Sequence, residues 1–133
     1  MRKGIYMFVY GTLRRGFEGN RLLVDSRFLG MAKTKEKYRM FAEDVPYVYK
    51  EKKTTVIVGE VYEIDGPTLE ILDNFEGHPD CYRRELVDIV LDAGSQIQAW
   101  IYFNPEPAGA VVQSGDFLNW TMNFDLMKSK EIS

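Results

Sequence analysis

Apolar residues along this chain gather mostly in short runs, which predicts strands more often than helices. Ile5-Tyr6-Met7-Phe8-Val9-Tyr10 is apolar on both alternating faces, the pattern of a buried central strand. Residues 54–64, from Thr54 through Val56-Ile57-Val58 to Ile64, are rich in β-branched side chains. Gly59 in their midst marks a bulge or a close backbone approach. Two further strands are expected at Glu85–Leu91 and Ile97–Phe103, joined by a hairpin turn at Asp92-Ala93-Gly94-Ser95. Weaker strand signals lie at Phe28–Ala32, Tyr38–Phe41 and Tyr47–Tyr49.

Helical spacing predicts three helices, at residues 20–25, 67–74 and 116–128. Asp65-Gly66 followed by Pro67 is a helix-opening signal, because the first helical positions have no use for the N–H that proline lacks. In the third helix Phe117, Trp120, Phe124 and Met127 share one face. Strands outnumber helices and the loops between them are short, so antiparallel pairing is favoured. The expectation is a mixed α+β domain with a curved or barrel-like sheet. No repeat or internal boundary appears, and residues 1–133 read as one domain; Pro105–Gly109 is the most loop-like stretch.

Composition narrows the partners. A net charge of −3 argues against nucleic acid, which calls for a basic surface. The apolar run at Ile5–Tyr10 is too short for a membrane span, so a soluble, cytoplasmic protein is expected. With one cysteine, Cys81, no disulfide can form within the chain, and with one histidine, His78, a zinc site of His and Cys ligands lacks enough donors. No Gly-x-Ser-x-Gly elbow is present. Gly11–Gly16 has the glycine spacing of a phosphate-binding loop, but Phe17-Glu18 stands where Lys-Ser/Thr belongs.

Two stretches retain chemical interest. Tyr10-Gly11-Thr12-Leu13 closes a buried strand, and glycine there allows backbone N–H groups to meet a carboxylate or a developing oxyanion. The plain alternative is a tight turn with Thr12 as a local cap. Glu76 follows a short helix whose Leu69, Leu72 and Phe75 are expected to face the core. A carboxylate among apolar neighbours can have a raised pKa and shuttle protons; the alternative is a solvated loop glutamate. Asp73 suits a cap, a pair with Arg83 or Arg84, or a share in the Glu76 site. Arg14-Arg15 would steer a carboxylate or be solvated, and Tyr82 could bring a hydroxyl to the site.

In order and spacing these pieces resemble the γ-glutamylcyclotransferase-like proteins, most closely the γ-glutamylamine cyclotransferase branch. The likeness rests on Phe8–Gly16, on Gly59–Ile64, and on Leu72-Asp73-Asn74-Phe75-Glu76-Gly77 with the trailing Tyr82-Arg83-Arg84. It implies a compact mixed β-barrel with flanking helices and a small γ-glutamyl substrate. Tyr10, Gly11, Thr12 and Leu13 would hold the γ-glutamyl moiety, Tyr82 would border it, and Glu76 would be the acid–base catalyst. It implies no metal and no organic cofactor. Two other roles fit the same motifs: a non-catalytic module for small carboxylates, and cyclising removal of a γ-glutamyl group from a biosynthetic intermediate. The segment after Asn104 matches nothing in that family's pattern.

Overall fold

The structure, a computed structural model, describes residues 4–42, 45–51, 53–106 and 109–121. Five strands close into a barrel: β1 (Ile5–Val9), β2 (Arg27–Thr34), β5 (Val58–Ile64), β6 (Arg83–Leu91) and β7 (Gln96–Phe103), in the order β1-β5-β2-β6-β7. All pairs are antiparallel except the closing one, where β1 runs parallel to β7 through Met7 and Trp100. A small second sheet, in the order β4-β3-β8, is built from β3 (Arg39–Ala42), β4 (Pro46–Tyr49) and β8 (Ala110–Val111). A 3-10 helix covers Glu18–Leu23, α1 covers Gly66–Glu76, and residues 117–121 are helical.

The two-faced apolar pattern of β1 follows from barrel closure. Phe8 joins Val61, Ile89, Ala99 and Ile101 in one cluster. Met7 and Val9 point to the other face, where Tyr62, Tyr102 and Leu72 of α1 cover them. A strand clothed on both sides has no polar face to show. Gly59 is a close approach, not a bulge: a Cβ there would strike the Val9 carbonyl oxygen and the Phe8 ring, and its pairing with Ala32 is regular. The register shift falls in β2, between Phe28 and Gly30.

Several boundaries differ from the sequence reading. The strand expected over 54–64 begins only at Val58. Upstream of it Thr55 makes an isolated bridge to Tyr38, and the Ile57 carbonyl accepts the Thr34 N–H, so these residues pair with other segments. The helix expected over 20–25 is a 3-10 helix starting at Glu18. Of the helix expected over 116–128, residues 122–128, with Phe124 and Met127, lie outside the described residues. β8 was not foreseen, because two residues leave no period to read. Among the described residues no helix is long and apolar enough to cross a membrane.

Candidate active site

Glu76 is the last residue of α1, and local chemistry fixes it there. Asp65 caps the helix, its Oδ1 accepting the Thr68 N–H at 2.8 Å. Gly77 ends it in the left-handed region, at φ 71°, and the His78 N–H returns to the Asp73 carbonyl at 2.9 Å. A Cβ at position 77 would also stand 3.0 Å from the Cys81 Cβ, so glycine suits this position on two counts. The loop then doubles back: Cys81 N–H donates to the Gly77 carbonyl and Tyr82 N–H to the Glu76 carbonyl. That return sets Tyr82 beside Glu76.

The loop after β1 is braced from behind. Arg14 N–H donates to the Gly11 carbonyl at 3.0 Å, which closes a turn over Gly11-Thr12-Leu13. The Leu13 carbonyl accepts Asn20 Nδ2 at 2.8 Å. Arg14 is 2% exposed, and its guanidinium bonds Glu60 at 3.2 Å and Asp116 at 2.8 Å. Glu60 also accepts the Arg15 N–H and the Tyr62 hydroxyl, both at 3.0 Å. Arg14 is therefore neither solvated nor a steering charge; it is the buried joint that fixes the turn. Arg15 lies 4.0 Å over the Phe28 ring. The N–H groups of Thr12 and Leu13 meet no acceptor among the described residues.

These two constructions border one pocket of about 210 Å³. Tyr10, Gly11, Thr12, Leu13, Glu76 and Tyr82 all line it, together with Phe8, Val9, Val45, Pro46, Phe75 and Tyr102. Pro46 packs so closely on the loop that a Cβ at Gly11 would come within 2.5 Å of its Cγ. Phe75 is 47% exposed and edges the pocket instead of entering the core; Leu72 alone of α1 is fully buried.

Burial pushes the Glu76 carboxyl from 4.5 up to about 7. No cation or hydrogen-bond donor among the described residues meets it. Burial, together with the charge of Glu76, raises the hydroxyls of Tyr10, Tyr82 and Tyr102 above their usual range. Tyr10 donates to the Tyr102 carbonyl at 2.6 Å, and Tyr82 to the Pro46 carbonyl at 3.1 Å while stacking on Tyr47. Asp73 is not among the residues that line the pocket. Partial burial alone would raise its carboxyl, but bonds from Arg84 at 2.9 Å and Tyr102 at 2.7 Å hold it below the usual carboxylate range. His78 Nδ1 accepts the Arg84 N–H at 3.3 Å, Cys81 is exposed, and Arg83 stands on the surface at the start of β6.

Tyr102 and Pro46 were missed by sequence reasoning. Tyr102 hides among the alternating aromatics of β7, and Pro46 reaches the pocket only through strand pairing. Glu60 carried a legible signal: a carboxylate inside the apolar run Val58–Ile64 needs a buried partner.

A small closed five-strand barrel with few flanking helices is a γ-glutamylcyclotransferase-like fold. Residues 7–119 match the family described as "Gamma-glutamyl cyclotransferase, AIG2-like", and the chain belongs to it. It is 52% identical over 116 residues to a Methanocaldococcus jannaschii protein named "Putative gamma-glutamylcyclotransferase MJ1514", covering 86% of this chain and 97% of that one. It is 29% identical over 113 residues to the gamma-glutamylaminecyclotransferase of Mus musculus, covering 73% and 76%. The crystal structure of an AIG2-like protein from Mus musculus superposes with a TM-score of 0.75 at 26% identity, covering 86% of this chain and 90% of that one.

Proposed function

We propose that the protein converts a γ-glutamyl amine or γ-glutamyl amino acid into 5-oxoproline and a free amine, with Glu76 as the proton carrier. The observation that carries this reading is the Glu76 carboxyl, held near pKa 7 with no ion-pair partner among the described residues, in the pocket that the Tyr10–Leu13 turn also lines.

The substrate's α-ammonium first gives one proton to the Glu76 carboxylate. The neutral amine attacks the γ-carbonyl carbon, and the π electrons move to oxygen. The unpaired N–H groups of the turn would receive that oxyanion or the α-carboxylate. Glu76 then passes its proton to the departing nitrogen and takes another from the ring nitrogen as the C–N bond breaks. The products are the five-membered lactam, the free amine and a protonated Glu76, which releases its proton to water. A carboxyl near pKa 7 suits both directions of transfer, and such help is worth about 10²–10⁴-fold. Holding the chain in its cyclising conformer supplies up to about 7–11 kcal/mol more. No side-chain nucleophile enters the sequence of steps, and a soluble cytoplasmic setting belongs to the same reading.

Glu76→Gln tests it. Release of 5-oxoproline from a panel of γ-glutamyl amines and γ-glutamyl amino acids should fall by about 10²-fold or more while the circular dichroism spectrum is unchanged. A variant keeping over about a tenth of the parental rate would remove Glu76 from this role. Binding across the panel without turnover by the parent would point to the carboxylate-binding module. Turnover confined to a larger amine-protected intermediate would point to deprotection.

A further inference from the structure

Three tyrosines border the pocket, and each has its hydroxyl proton committed to a protein acceptor. They differ in what their oxygens still have to offer. Tyr10 and Tyr82 give their protons to neutral backbone carbonyls, those of Tyr102 and Pro46, which polarise a phenol less than a carboxylate does. The Tyr102 oxygen takes no donor among the described residues. Its proton is held by Asp73 at 2.7 Å, and Arg84 holds the same Asp73 oxygen at 2.9 Å. Arg84 is itself fixed, 4.4 Å over the Trp100 ring. A phenol whose proton is drawn toward a carboxylate is a stronger acceptor at its lone pairs. The fixed proton also prevents the hydroxyl from rotating into the role of donor.

We infer that Tyr102 receives an N–H of the substrate's α-ammonium beside Glu76, and that Asp73 and Arg84 act through Tyr102 as positioning residues. This rests on the cyclotransferase reading for its substrate and adds a stereochemical reason for the attack. An ammonium has three N–H groups. One goes to Glu76 and is surrendered. A second stays on the Tyr102 oxygen and stops the amine from spinning, so the freed lone pair keeps its heading toward the γ-carbonyl. The pocket is thereby divided. Backbone donors at Thr12 and Leu13 suit the carboxylate, and oxygen acceptors at Glu76 and Tyr102 suit the ammonium. An α-amino acid end, with both charges on one carbon, is the group that uses both.

The test compares two ligands in a Glu76→Gln background, where turnover is blocked. One is L-γ-glutamylmethylamide; the other is glutaric acid monomethylamide, which lacks only the α-amine. Adding Tyr102→Phe should weaken calorimetric binding of the first by about tenfold or more and leave the second unchanged. Asp73→Asn, which presents an amide donor where Tyr102 meets a carboxylate, should reproduce that selective loss and covers the case in which Tyr102→Phe misfolds. Equal losses for both ligands, or no loss for either, would overturn the inference. A parental protein that binds the amine-bearing ligand with this selectivity yet turns over no γ-glutamyl compound would uphold the inference and remove the catalytic reading.

Discussion

Glu60 and Glu76 are two glutamates withdrawn from water near the same loop, and their surroundings are opposite. Glu60 is 3% exposed and is met by the Arg14 guanidinium, the Arg15 N–H and the Tyr62 hydroxyl. Glu76 lines a pocket, and among the described residues nothing donates to it. Removal from water is costly for either charge. At Glu60 the cost is offset by partners, which turn the carboxylate into a rigid joint between β5 and the loop. At Glu76 it is not offset, and the carboxyl responds by holding its proton up to about pH 7. Withdrawal from water raises a carboxyl's pKa where no partner meets the charge.

The sharpest way to break the contrast on the structural side is Arg14→Met. It strips Glu60 and Asp116 of their shared cation, and unfolding by urea should show a loss of about 3–5 kcal/mol. The opposite sign is expected at the other glutamate. The folded-state pKa of Glu76 lies above its unfolded value, so between about 4.5 and about 7 the native state binds more protons than the unfolded one. Its contribution to stability is fully present below pH 4.5 and declines as pH rises through 7. Glu76→Gln should therefore gain about 1–3 kcal/mol at pH 8 and almost nothing at pH 4, read from paired denaturation curves. The smallest effect sharpens how Glu76 is placed: Asp65→Ala removes the cap at the far end of α1 and should cost about 1 kcal/mol in the same assay.

The contrast also marks how far the sequence could be read. The four strong strands and α1 were legible because each carries its own period or cap: the run at 5–9, the hairpin around Asp92–Ser95, the Asp65-Gly66-Pro67 start. The residues now lining the pocket, Glu76 and Tyr10 through Leu13, were reachable through motif order. The cationic partner of Glu60 was not, because Arg14 reaches it across 46 positions of sequence, and the second acid on Arg14, Asp116, lies 102 positions from that arginine. Periodicity reports which face a residue shows; it carries no information on what meets that face. The same limit misplaced Phe75, whose helical position suits the core but which ends at the pocket edge, and it concealed Tyr102.

The Arg14–Asp116 bond has a consequence for the order of events during synthesis. The turn that follows the first strand leaves the ribosome early, yet one of the two acids that neutralise its arginine is encoded about a hundred codons later. A nascent chain halted before residue 116 would hold Arg14 against Glu60 alone. The geometry of the turn after β1 thus waits on the docking of the segment that carries Asp116.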